Sequence, residues 1–286
     1  MNPYQAFVAE MARRHTEAKA FPLGGFPALP RPTIEPDAPK VLVFSPHPDD
    51  ECVIGALPLR LMRESGMRVL NVAVTQGSRK DRQAARLNEL RAACEYLGFS
   101  VVQTDENGLE GINPKTRAQA PTQWAGSVDR IARILREQQP RIIVFPHDAD
   151  HNTTHIGTHY LLVDALGKLG PDFGCYTVET EFWSAMATPN LMVEANARDV
   201  ADLVSALTFH VGEVQRNPYH LRLPAWMIDN VRRGAELVGA QGGAAPDFLF
   251  ATLYRLRQWR DGAFRDVLTG GRFAGCADDL AGLFRG

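Results

Sequence analysis

From residue 40 the chain alternates short apolar runs with longer segments whose apolar residues recur every three or four positions. Val41–Phe44 (VLVF) is the first run, Arg68–Thr75 (RVLNVAVT) the second and Ser100–Gln103 a short third; Arg141–Phe145 (RIIVF) and Cys175–Phe182 follow. Unbroken apolar runs of this length fit strands buried on both faces, as in a parallel sheet. Between them the pattern predicts helices over Glu51–Ser65, Asp81–Leu97, Gln123–Gln138 and His155–Leu169. Gly66, Gly98 and Gly170 stand where three of these stop, and a glycine readily takes the left-handed conformation that closes a helix. Strand–helix alternation of this kind predicts βαβ units: an α/β protein with a Rossmann-like, mostly parallel sheet flanked by helices.

The rhythm holds over only part of the chain. Residues 1–20 have the pattern of a short amphipathic helix, and residues 21–39 hold six prolines and two glycines, an irregular stretch. Residues 1–39 are therefore expected to be a lead-in, and 40–286 one domain. After residue 195 helices are predicted over Ala197–Gln215 and Ala225–Leu237, with Phe248–Leu256 an edge strand or a helix. Residues 196–286 are accordingly expected to form a helical C-terminal extension of the same domain.

Composition narrows the function. The 286 residues are 45% hydrophobic and 22% charged, enough apolar material for a packed core. Thirty-one Lys and Arg against 33 Asp and Glu give a net charge of -2, without the basic excess of a nucleic-acid binder. Cys52, Cys94, Cys175 and Cys276 are scattered with no C-x-x-C pair, as reduced and mostly buried thiols are. The N-terminal segment lacks the basic-then-apolar pattern of a secretion signal, and no run approaches the ~18 apolar residues of a membrane span. The expectation is a cytoplasmic protein acting on a small molecule.

Two segments carry candidate chemistry. Pro46-His47-Pro48-Asp49-Asp50-Glu51 directly follows the first predicted strand, and ligands of open α/β sheets bind outside the carboxyl ends of strands. His47 and Asp50, three apart in a turn restricted by Pro48, can aim an imidazole and a carboxylate at one point, a donor pair that suits zinc. Asp49, beside a ligand acid, is placed to take a proton from water. The plainer alternative makes Asp49 or Asp50 a helix N-cap. The second segment, Pro146–His155, follows the fourth strand, and His147, His151, His155 and His159 fall within thirteen residues. His155, at the start of the next helix, completes a His-Asp-His set that leaves one position open. For His147 and His159 ordinary loop or helix-face roles compete, as turn roles do for Asp148 and Asp150.

Together these motifs resemble the PIG-L/LmbE-like deacetylases, a family of zinc-dependent N-acetylglucosaminyl deacetylases, over roughly residues 40–215. The resemblance implies that His47, Asp50 and His155 are zinc ligands and Asp49 the general base. Where the family reads Asp-x-His-x-Asp-His, this chain has Asp150-His151-Asn152-Thr153-Thr154-His155, so Asn152 replaces a histidine and Thr154 an aspartate. Ala206-Leu207-Thr208-Phe209-His210 resembles a later A-L-x-x-H segment, with Gly212-Glu213 where Ser-Gln usually stands. Arg86 and Glu89 also match, as a same-face helical pair. The function implied is removal of an acyl group, acetyl first, from an N-acylated amino sugar or related small molecule. The cofactor implied is zinc, with another divalent metal as the alternative. Asn152 or His210 would stabilise the oxyanion, and Arg79, Lys80 and Arg82 would contact substrate, with a solvated loop the competing reading of those three. Family members are often oligomeric, so a homo-oligomer is expected.

Three other readings fit parts of the pattern. Phosphoester cleavage by two metals needs more bridging acids than the chain places. Another amide, such as a thiol-conjugate amide, keeps the same site. A non-catalytic sugar- or nucleotide-binding α/β protein with a degenerate metal site is favoured by Asn152 and Thr154 and opposed by the intact Asp49. No Gly-x-Gly-x-x-Gly follows the first strand, which disfavours a dinucleotide.

Overall fold

A computed structural model describes residues 2–285. Its strands are β1 (Lys40–Ser45), β2 (Arg68–Ala73), β3 (Ser100–Gln103), β4 (Ile142–Pro146), β5 (Cys175–Thr180), β6 (Leu191–Ala195), β7 (Phe250–Arg260), β8 (Ala263–Asp266) and β9 (Arg272–Ala274). Its helices are α1 (Pro3–Ala18), α2 (Asp50–Val53), α3 (Leu57–Ser65), α4 (Gln83–Leu97), α5 (Pro114–Gln119), α6 (Pro121–Gln138), α7 (Thr153–Lys168), α8 (Ala197–Leu207), α9 (Val211–Arg216) and α10 (Leu223–Leu237).

All strands join one sheet in the order β3-β2-β1-β4-β5-β7-β6-β9, with β8 paired to the far end of β7. β1 to β5 are mutually parallel, and β7 runs antiparallel to both β5 and β6. Alternation along the central strands divides the core. Val41 and Val43 of β1, with Ile142 and Val144 of β4, pack into one cluster with Leu57, Leu61, Leu90 and Leu203 from α3, α4 and α8. Leu42 and Phe44, with Ile143 and Phe145, pack into a second with Ile131, Leu135, Leu161 and Leu166 from α6 and α7. Both faces are therefore covered, which explains the unbroken apolar runs.

The helix expected over Glu51–Ser65 is two helices, α2 and α3, separated at Gly55. Gly55 has φ 82°, and a Cβ there would lie 2.2 Å from Thr252 Oγ1 and 2.5 Å from the Tyr254 hydroxyl. That hydroxyl donates to the Ile54 carbonyl (2.6 Å), so a strand almost two hundred residues downstream ends the helix. The helix expected over Ala197–Gln215 also divides, into α8 and α9, with His210 at the start of the second.

The C-terminal part is helical only as far as Leu237. Residues 250–274 supply β7, β8 and β9, and β7 is an interior strand, not the edge strand or helix expected over Phe248–Leu256. Its partners, Cys175–Thr180 and Leu191–Ala195, are remote in sequence, so its local pattern held no sign of where it inserts. The lead-in is not loose: Leu23, Phe26, Leu29 and Ile34 pack against the first cluster, whereas α1 buries no residue. The four cysteines are unpaired, three of them buried. No helix among the described residues is long and apolar enough to cross a membrane.

Candidate active site

The strand order places β1 beside β4 at the centre, and the chain leaves them in opposite directions, from β1 towards β2 and from β4 towards β5. This is the switch point at which open α/β sheets form a crevice. Both sequence motifs leave the carboxyl ends of these strands, so the fold brings residues 47–50 against residue 155.

His47 Nδ1 lies 3.2 Å from His155 Nε2, which lies 3.2 Å from Asp50 Oδ2; the third side, His47 Nδ1 to Asp50 Oδ2, is 3.5 Å. Donor atoms on a tetrahedral ion with bonds of about 2.0–2.1 Å sit ~3.3 Å apart. The triangle therefore fits a zinc-sized divalent ion. Two ring nitrogens in direct contact also need a cation or proton between them. Burial pushes the Asp50 carboxyl up, but His155 and His47 outweigh it and hold it well below the usual range. Burial pushes the His155 imidazole down, and Asp50 and then Asp150 reverse this to a net rise. His155 Nδ1 is buried without a hydrogen-bond partner, and Asp150 Oδ1 lies 3.7 Å from it. Asp150 is itself fixed by the backbone N–H groups of Asn152 (2.8 Å) and Trp183 (3.0 Å), as the carboxylate behind a ligating histidine usually is.

Asp49 stands outside this triangle. It occupies the N-cap position of α2 but makes no side-chain cap hydrogen bond. Its φ of 116° is one of four positive values at non-glycine residues among those described, a strained conformation that the surroundings must enforce. The enforcement is visible: the Asp49 N–H donates to Glu51 Oε2 (3.0 Å) and its Oδ2 accepts from the Tyr219 hydroxyl (2.5 Å). Burial, then Asp50, raise its carboxyl to about 6 against the opposing pull of His210, Arg86 and Tyr219.

His210 is fully buried, its Nε2 2.6 Å from Glu51 Oε1. The structure thus connects His210 to Asp49 through Glu51, and does not bring its Nε2 into the donor triangle. Cys52 lies beneath Glu51; burial and that carboxylate push its thiol well up, which keeps it neutral. Asn152 caps α7, its Oδ1 accepting from the Thr154 N–H (2.8 Å). Arg86 and Glu89 do not pair with each other: Arg86 donates to the Pro48 carbonyl (2.8 Å) and Glu89 accepts the Gly212 N–H (3.2 Å). The remaining histidines of the second motif lie outside the triangle. His147 contacts the Ser184 carbonyl, His159 the Pro146 carbonyl, and His151 is exposed.

A cavity of about 450 Å³ opens beside His47, lined among others by Thr75, Lys80, Gln83, Asn113 and Asn152. Of the three basic residues expected to meet substrate, only Lys80 lines it. Arg79 pairs with Asp81 on the surface and Arg82 with Glu213. A larger cavity of about 910 Å³ lies at the opposite, amino end of the strands, bounded by Lys40 and Arg141, and includes none of these residues.

Residues 42–166 match the family model described as PIG-L: GlcNAc-PI de-N-acetylase. This is a family-domain match over just under half of the chain. The 1D-myo-inositol 2-acetamido-2-deoxy-alpha-D-glucopyranoside deacetylase of Mycobacterium leprae is 24% identical over 204 residues, covering 58% of this chain and 66% of that protein. The chain thus spans just under two thirds of the length of the curated relatives it matches. Among solved structures, the N,N'-diacetylchitobiose deacetylase of Pyrococcus horikoshii aligns with a TM-score of 0.56 at 16% identity, covering 79% of this chain and 85% of that one. The 4-carboxy-2-hydroxymuconate hydratase of Pseudomonas putida aligns equally well, TM-score 0.56 at 18% identity, covering 76% and 95%. The fold therefore hosts more than one reaction class. The matched segment contains both motif loops, while His210 and Tyr219 reach the site from beyond its end. Tyr219 was invisible in the sequence because a lone tyrosine after Asn217-Pro218 carries no signal until the fold brings it to Asp49. Glu51 reads locally as a helix-start acid, and only the structure reveals that it joins Asp49 to His210.

Proposed function

We propose that this chain is a zinc-dependent amidohydrolase that deacylates an N-acylated amino sugar or a related small molecule. The observation that carries the reading is a three-donor triangle with a buried carboxyl, Asp49, next to it and bound to neither the triangle nor a helix cap. His47, Asp50 and His155 would hold a divalent ion, which when bound would supply Lewis acidity to a scissile carbonyl and lower the pKa of water. Asp49 takes the proton of the attacking water and returns it to the departing nitrogen, so amide and water become amine and carboxylic acid. A carboxyl raised to about 6 is suited to both transfers near neutral pH. Tyr219 and Glu51 hold Asp49 in the geometry this needs, and His210 acts through Glu51. Asn152, whose Nδ2 is not used in the helix cap, is the proposed oxyanion donor, and Lys80 the proposed contact to substrate hydroxyls.

Relatives that act on acetylated sugars support the substrate class, and the polar cavity beside His47 supports a hydroxyl-rich amine portion. The test is amine release from a panel of N-acylated amino sugars by zinc-reconstituted and chelator-treated protein. Release that requires the metal is expected. No amine from any panel member at saturating metal would overturn the reading.

A further inference from the structure

A second pocket, of about 300 Å³, adjoins the reactive residues and shares no lining residue with the polar cavity. Val53, Phe182, Trp183, Tyr219, Leu223 and Trp226 line it, with Asn217 and Arg222 also at its wall. Its inner wall touches the site. The Phe182 ring meets the His155 ring edge-on at 4.8 Å between centroids, and the Tyr219 hydroxyl is the group bound to Asp49. Trp183 stacks edge-on against Tyr219 at 5.7 Å, and its backbone N–H holds Asp150. The Trp183 residue is nonetheless 50% exposed, a large apolar surface left open beside the site.

Accepting the amidohydrolase reading, on which this inference rests, the two cavities divide the substrate. The scissile carbonyl sits at the donor triangle, and the hydroxyl-lined cavity suits the amine portion. The acyl portion is then directed to the aromatic pocket. A methyl group has about the bulk of a water molecule, ~30 Å³, and would leave nearly all of this pocket empty. We propose that the aromatic pocket receives an acyl chain longer than acetyl, with room for roughly six to eight methylenes at interior packing density. The preferred substrate is thus an N-acyl amino sugar with a medium-length acyl chain.

Two series of compounds test this on the wild-type, zinc-reconstituted protein. The first is binding of straight-chain carboxylates from acetate to decanoate, followed by tryptophan fluorescence. All share one carboxylate, so the series isolates the chain. Affinity should rise by about fourfold per added methylene until the pocket is full. Trp183→Ala should flatten that rise, and Val53→Phe should move the plateau to shorter chains. Equal binding of acetate and octanoate overturns the proposal. The second series is amine release from N-acetyl- through N-decanoylglucosamine, in which kcat/KM should follow the same order. Cleavage that is fastest for acetyl, with flat carboxylate binding, removes the pocket assignment and leaves the amidohydrolase standing. Chain-dependent binding with no cleavage of any amide keeps the pocket and removes the reaction.

Discussion

Asp49 combines a strained backbone with a buried, proton-accepting side chain, and both features bear on how it should respond to substitution. Asparagine tolerates positive φ, keeps the shape, and can still accept the Tyr219 hydroxyl, but it cannot take a proton. Asp49→Asn should retain metal and fold while kcat falls ~10²–10⁴-fold, with KM changing less. Steady-state kinetics at saturating zinc measures this; full activity would return Asp49 to a structural role. The same reasoning separates two roles for His210. A direct oxyanion donor would be lost with His210→Gln at ~10²–10³-fold in kcat, while Glu51→Gln would matter little. A residue acting through Glu51 predicts that His210→Gln and Glu51→Gln each lower kcat by ~10–100-fold and that the double variant is little worse than either. Additive losses in that double-mutant cycle would place His210 on the substrate instead.

The sequence was most legible at the level of elements, and its failures share a cause. β1 to β5 announce themselves because strands covered on both faces must be apolar throughout, and the motif loops were placed correctly by following β1 and β4. The break at Gly55, the interior position of β7 and the hand of Tyr219 on Asp49 all depend on residues remote in the sequence, which local pattern does not encode. Gly157 is another such case. It reads as a mildly unfavourable residue within α7, yet a Cβ there would meet the Ile112 carbonyl carbon and oxygen at 2.5 Å. That contact seats the segment containing Ile112 and Asn113, which walls the polar cavity. Alanine would gain ~1 kcal/mol of helix propensity but overpack backbone against backbone, which typically costs ~1–3 kcal/mol. Gly157→Ala should therefore lower Tm by a few degrees, about 2–5 °C, and raise KM as the cavity wall shifts. A rise in Tm with unchanged KM would mean that the Ile112 segment yields freely.

Across the whole molecule the site is a junction. Two loops of the central sheet, the Glu51 start of α2, His210 ahead of α9 and Tyr219 ahead of α10 all meet within one crevice. Asp49, Asp50 and Glu51 crowd three carboxyl groups into consecutive, buried positions, with His155, His47, His210 and Arg86 arrayed against them. A divalent cation placed among such groups favours the folded state by mass action, since the unfolded chain offers no preformed triangle. At free zinc ~100-fold above Kd the stabilisation is ~2.7 kcal/mol, or about 5–10 °C in Tm for a chain of this size. Differential scanning calorimetry of chelated and zinc-loaded protein should record that upward shift. His155→Ala should abolish it, because the triangle loses the donor that touches both others. Asp49→Asn should preserve it, because Asp49 is beside the triangle and not part of it. If Asp49→Asn also lost the shift, Asp49 would be a ligand and the separation of metal holder from proton carrier would fail. If His155→Ala kept the shift, the metal would be held elsewhere, and the crevice between β1 and β4 would need another explanation.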